Sequence, residues 1–182
     1  TINWKASARR HELMVNVYQD ERSQQIYNVI DKGRVMQQAF RGMTLLDYAI
    51  NASLVLSYVA MRKEDKAGLA TFDEHFDTFV PASRQSGYMQ TLLENLYSQQ
   101  TTFGETDFSA LCVNLNKHVG KRSLLVLYTN FSSIGSMNRQ LSYLKQLNHR
   151  HRLLVVFFED ADLKEYIAQP AKDTEGYYRH VI

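Results

Sequence analysis

Three runs in this sequence are apolar almost throughout, and they limit the possible folds more than any other feature. Gln25–Ile30, Ser123–Thr129 and Arg152–Phe158 do not alternate apolar with polar residues. A strand of that kind needs cover on both faces, which helices give to a parallel sheet. Helical patterns separate the runs. They are predicted from Leu45 to about Arg62, Tyr88 to Tyr97, Asp107 to about His118, and Met137 to Asn148, with a last helix from about Asp162 to Ala168. The expected architecture is α/β: a doubly wound, mainly parallel sheet with helices on both faces.

Local signals fill in the frame. Thr44 followed by Asp47 is a variant capping box and starts the first helix. That helix is apolar nearly all round, so it is expected to be buried on most sides. Ala67–Phe72 and Phe76–Val80 flank Asp73-Glu74 and predict an antiparallel edge hairpin, with Pro81 ending its second strand. Gly33 marks a turn after the first buried strand, and Thr106 is the expected cap of the 107 helix. Glu12–Tyr18 alternates weakly. Residues 1–23 are therefore expected to form an arm or strand packed on one domain, 24–182.

Composition excludes several functions. The formal charge of +2 is too balanced for a nucleic-acid binder, which needs a concentrated basic face. The single Cys112 rules out an intrachain disulfide and a multi-cysteine metal site, and its apolar neighbours suggest a buried helical thiol. The longest uncharged apolar stretch, Tyr48 to Met61, is shorter than the roughly 20 residues that span a bilayer. The chain opens on Thr1 and closes abruptly on Val181-Ile182, so a soluble fragment of a longer protein is expected. The arm carries a small basic cluster, Lys5, Arg9, Arg10 and His11.

In open α/β sheets ligands bind at the carboxyl ends of the strands. Three loops reach that end: after Ile30, before the 107 helix, and after Thr129. They supply Asp31, Gly33, Arg34, Thr106, Asp107 and Asn130 as candidate site residues. No glycine-rich phosphate loop follows the first strand, and Lys121-Arg122 precedes a strand at the opposite end of the sheet. The histidines form no constellation; His149 and His151 flank the 137–148 helix and the next strand. Ser132-Ser133 reads as turn chemistry and no Gly-x-Ser-x-Gly elbow is present. Asp73, Glu74 and Asp77 read as a solvated hairpin tip. A hydrolase or nucleotide enzyme would need a nucleophile with its base, or a phosphate loop, and neither is visible.

A set of short motifs runs through most of the chain. It comprises Asn3-Trp4-Lys5-Ala6-Ser7-Ala8-Arg9, Glu21-Arg22, Asp31-x-Gly33-Arg34-x-Met36, Asp47-x-Ala49-x-Asn51-Ala52, Asp65-Lys66-x-Gly68-Leu69 with Phe72, Thr106-Asp107 and Thr129-Asn130. In this order and spacing the chain resembles the bacterial domain of unknown function 58 family. The core of that family looks like a von Willebrand factor A domain, a Rossmann-like three-layer sandwich. The resemblance implies a metal-ion-dependent adhesion site built from Asp-x-Ser-x-Ser, a threonine and a second aspartate. Here Gly33 and Val35 stand at the serine positions and Asn130 at the second aspartate, so the implied site is degenerate and no metal or other cofactor is expected, magnesium being the weak exception. Two readings stand for Arg34 beside Asp31: the pair only organises the loop, or the cation takes the place of the metal charge by pairing with the carboxylate.

The resemblance also implies membrane-spanning segments upstream and a MoxR-type AAA+ ATPase as a working partner. The expectation is a non-enzymatic protein-interaction module on the cytoplasmic face of the bacterial inner membrane. It would bind a protein, with no small-molecule substrate and no nucleic acid. A purely structural scaffold and a cryptic hydrolase or nucleotide-binding enzyme are the alternatives.

Overall fold

The computed structural model describes residues 23–99 and 101–158. The predicted arm, its basic cluster and the 162–168 helix lie outside the described residues.

Five strands form the main sheet: β1 (Gln25–Asp31), β4 (Lys66–Phe72), β5 (Phe76–Ser83), β6 (Leu124–Tyr128) and β7 (Arg152–Val156), in the order β5-β4-β1-β6-β7. All neighbours are parallel except β4 and β5, which form the expected antiparallel edge. Two short strands, β2 (Ala39–Phe40) and β3 (Met43–Thr44), pair in a separate hairpin. Four helices, α1 (Leu45–Arg62), α2 (Tyr88–Tyr97), α3 (Phe108–His118) and α4 (Ile134–Arg150), carry the chain between strands.

The sheet divides the core in two. On one face Ile26, Ile30, Leu69 and Val126 pack with Leu46 and Ala49 of α1 and with Leu92 and Leu96 of α2. On the other, Val29, Phe72, Leu125 and Leu127 pack with Leu111 and Leu115 of α3 and with Leu144 and Leu147 of α4. This two-sided cover is what the uninterrupted apolar runs require. One polar cluster crosses the first face. Asn28 donates to Ser57 Oγ (2.9 Å) and Ser53 O (3.3 Å), and the Tyr128 hydroxyl donates to Asn28 Oδ1 (3.1 Å).

Several expectations change. The capping box at Thr44 and Asp47 is formed, but α1 is not buried on most sides: Val55, Tyr58 and Val59 stand exposed. Its buried stripe instead holds small residues, Ala49, Ser53, Ser57 and Ala60, which let the helix lie close on the sheet. Pro81 does not end β5. The strand runs on to Ser83 past a register irregularity, and an edge strand tolerates the missing N–H there. The last buried run is an edge strand with Leu154 half exposed. Helix α4 starts three residues early, because Ser133 and Ser136 cap it reciprocally. Cys112 is buried as expected, and burial pushes its thiol up to about 11.

Candidate functional site

The parallel strands all end on one side of the sheet, and β1 ends there on Asp31. Its carboxylate is fully buried and enclosed by three donors. Gly33 N–H donates to Oδ1 at 2.7 Å, Thr106 Oγ1 to Oδ1 at 2.9 Å, and Thr129 Oγ1 to Oδ2 at 2.6 Å. Burial raises the Asp31 pKa above its ordinary 3.8; the three hydrogen bonds pull it down and the charge of Asp73 adds to the rise. An ionised carboxylate only accepts, so three donors suit it well.

Thr106 does not cap α3. Asp107 is the N-cap, accepting from Ser109 N–H (2.7 Å) and Ala110 N–H (3.0 Å), which leaves the Thr106 hydroxyl to turn inward. Gly33 does not need a glycine for its backbone angles, which are ordinary extended values (φ −72°, ψ 178°). A Cβ there would collide with Thr106 Oγ1 and lie 3.0 Å from Asp31 Oδ1. The glycine makes room for the threonine. The 103–106 loop is held in place by Arg34 N–H donating to Gly104 O (2.9 Å), with Phe103 at a left-handed φ of 51°.

Arg34 does not pair with Asp31. It opens a short 3₁₀ turn, Arg34–Met36, and points outward to Glu105 at 3.5 Å, with both side chains more than 70% exposed (74% and 82%). A guanidinium beside Asp31 would have to be buried with it, at a desolvation cost that the neutral hydroxyls avoid. Asn130 Oδ1 accepts the Phe131 N–H (2.9 Å).

A cleft of about 150 Å³ lies over this network, lined among others by Asp31, Arg34, Thr106, Asn130, Phe131 and Arg139. The structure thus brings together four of the six expected residues on its walls, with Gly33 behind them and Asp107 turned to its helix. Sequence reading missed Thr129 and Arg139. Thr129 follows Tyr128, which pairs with Ile30, so register places it beside Asp31; nothing local marks Arg139, one turn into α4.

Of the positions expected to hold a cation, Asp31, Thr106 and Asn130 carry side-chain oxygens. Each already takes part in a protein hydrogen bond, and Gly33 and Val35 add none. A magnesium ion takes about six oxygen ligands. Among the described residues no three His, Cys, Asp or Glu side chains gather where they could hold a metal.

The hairpin tip is not simply solvated. Lys32 is almost fully buried and its ammonium meets Asp77 at 2.5 Å and Asp73 at 4.0 Å. At the opposite end of the sheet His151 is buried as the C-cap of α4, its Nδ1 accepting the Ser123 N–H (3.4 Å), far from the cleft. Among the described residues no helix is long and apolar enough to cross a membrane.

Solved structures share this architecture. The chain is similar to the VWA domain of SpRpn10, with a TM-score of 0.55 and 11% identity over 78% of this chain and 79% of that one. It is similar to an aerotolerance-related membrane protein from Bacteroides fragilis carrying multiple mutations to serines (TM-score 0.54, 15% identity, 85% and 79%). BatB, a conserved hypothetical protein from Bacteroides thetaiotaomicron, gives 0.53, 14%, 74% and 65%. At such identities the likeness shows the fold alone, which is von Willebrand factor A-like. No curated protein matches the sequence. The model of one family, described as protein of unknown function DUF58, matches residues 1–166, and the chain belongs to that family.

Proposed function

We propose that this chain is a non-enzymatic protein-interaction module that engages its partner at the carboxyl end of the sheet without a metal. The observation that carries the reading is the division of labour between Asp31 and Arg34. Asp31 is closed off by Gly33, Thr106 and Thr129, so it organises the loops. Arg34 stands at the cleft in a solvent-exposed ion pair with Glu105, which contributes little and exchanges easily. An acidic group on a partner can replace Glu105 and use the bidentate geometry of the guanidinium. Arg139, exposed on the same wall, adds a second cation.

The wider setting follows from the family resemblance rather than from geometry. In that reading the module is the soluble part of a membrane-anchored protein that works with a MoxR-type AAA+ ATPase at the cytoplasmic face. At this face the ligand is a protein rather than a small-molecule substrate or nucleic acid. A hydrolase reading would need Asp31 as a reacting group, and its enclosure counts against that role.

Affinity capture from the source cell's lysate tests the proposal. Wild type, Arg34→Ala and Arg139→Ala are compared with magnesium and with a chelator. The expected result is a partner retained in chelator and lost with Arg34→Ala, at unchanged melting temperature. A partner captured only with magnesium would end the metal-free reading. Capture unaffected by either arginine would move recognition off this face.

A further inference from the structure

The opposite end of the sheet holds a second concentration of chemistry. The strands β1, β4, β6 and β7 all start there, and their first residues surround a cleft of about 690 Å³. Among the described residues its lining carries four cations, Lys66, Lys121, Arg122 and Arg152, and no carboxylate. The nearby Asp65 does not line it; its Oδ1 accepts the Gln24 N–H at 2.8 Å. Lys121, Arg122 and Arg152 have no carboxylate within ion-pair distance among the described residues. The Ser23 hydroxyl, a buried oxygen with no hydrogen-bond partner among the described residues, lines the same cleft.

Helix dipoles explain some of the positive charge at this end but not these four groups. Arg62, Lys117 and Arg150 lie in the last turns of α1, α3 and α4, where cations are favoured by the exposed carbonyls. Lys66 and Arg152 instead open strands, and Lys121-Arg122 lies in the loop before β6. They come from three separate crossovers yet converge on one cavity. Like charges brought together repel, and a concave wall concentrates their field. The field is felt locally: after burial, the charges of Arg150 and Arg122 are what lower the pKa of buried His151. A cavity of this size falls in the range of small-ligand sites, roughly 300–1,000 Å³.

We infer that this cleft binds a small phosphate-bearing anion. Arg122 and Arg152 provide guanidinium forks for phosphate oxygens, Lys121 provides a point charge, and Ser23 provides a neutral donor. The phosphate can belong to a free phosphorylated molecule or to a lipid headgroup, since the recognising chemistry is the same.

Inorganic pyrophosphate is the first probe, titrated into the 182-residue chain by calorimetry at low and high salt. Vesicles of phosphatidylglycerol, with phosphatidylcholine vesicles as the uncharged control, are the second. Saturable pyrophosphate binding is expected, weakened at least about tenfold in Lys121→Gln/Arg122→Gln and weakened by salt. Both positions are exposed, so the double variant should keep its melting temperature. Pyrophosphate that also displaces the chain from phosphatidylglycerol places both sources in one site. Vesicle binding lost in the double variant, without pyrophosphate binding, supports the site with a headgroup as its ligand. No binding to either probe, or binding that the double variant leaves unchanged, overturns the inference.

Discussion

Position 33 has no room for a side chain, because a Cβ there would run into the Thr106 hydroxyl. A glycine after a strand signals a turn, but here the backbone is extended and the requirement is space for Thr106. That threonine arrives from another loop, so no local pattern reveals it. Gly33→Ala should cost about 1–3 kcal/mol, the usual range for overpacking. In a Thr106→Ala background most of the penalty should vanish, because the colliding hydroxyl is gone. Urea unfolding of the four proteins measures this coupling, and an equal cost in both backgrounds would contradict the packing account. Asp31 gives a second prediction, in pH. Its folded pKa lies above its unfolded value, so the folded state holds the proton more tightly. The stabilising contribution is present below the unfolded value, near 3.8, and is lost as pH rises through the folded pKa. The stability of Asp31→Asn relative to wild type should therefore be greatest at neutral pH and fall steadily on acidification. A gap that stays constant with pH would mean the carboxylate is not strained by burial.

Elements were legible where side-chain chemistry near their ends declares them. Thr44 and Asp47 fixed the start of α1, and both ends of that helix match the periodicity. The start of α4 was missed because serine at both cap positions resembles a turn. Exposure is harder to read than extent: α1 is apolar nearly all round, yet Val55, Tyr58 and Val59 stand exposed. The β4–β5 hairpin holds the largest misreading. Asp73 and Asp77 read as a solvated tip, but they meet the buried Lys32 where the hairpin folds over the end of β1. Lys32 N–H also donates to Phe72 O, and Thr101 Oγ1 donates to Lys32 O, so the residue ties β1 to its neighbours. Asp77→Leu alone should cost about 3 kcal/mol or somewhat less, since it removes the nearest countercharge of a buried ammonium while Asp73 remains. Adding Lys32→Met should recover most of that loss, because an apolar pair of similar volume needs no desolvated charge. A double-mutant cycle by chemical denaturation reads the coupling. Additive losses would show that the ion pair is incidental to the hairpin.

At the scale of the whole molecule, the parallel sheet separates two kinds of surface. The four parallel strands β1, β4, β6 and β7 start at the end that holds the basic cleft and finish at the end that holds Asp31, and each is five to seven residues long. At about 3.3 Å per residue the two ends stand roughly 17–23 Å apart. Charges exposed in water are screened beyond about 8 Å at physiological salt, so neither end feels the other electrostatically. What connects them is a close-packed sheet whose side chains Leu125, Leu127 and Val29 are fully buried, and such an interior resists graded deformation. Two ligands bound at these ends should therefore act independently. Arg34→Ala should leave pyrophosphate affinity within about twofold, and Lys121→Gln/Arg122→Gln should leave partner capture unchanged. Effects of the two sets on unfolding free energy should add within about 0.5 kcal/mol. Calorimetry and capture on the combined variant decide the matter. If Arg34→Ala weakens the anion, or pyrophosphate alters capture, then the sheet has two arrangements that both ends bias, and the module would couple an anion at one end to a protein at the other.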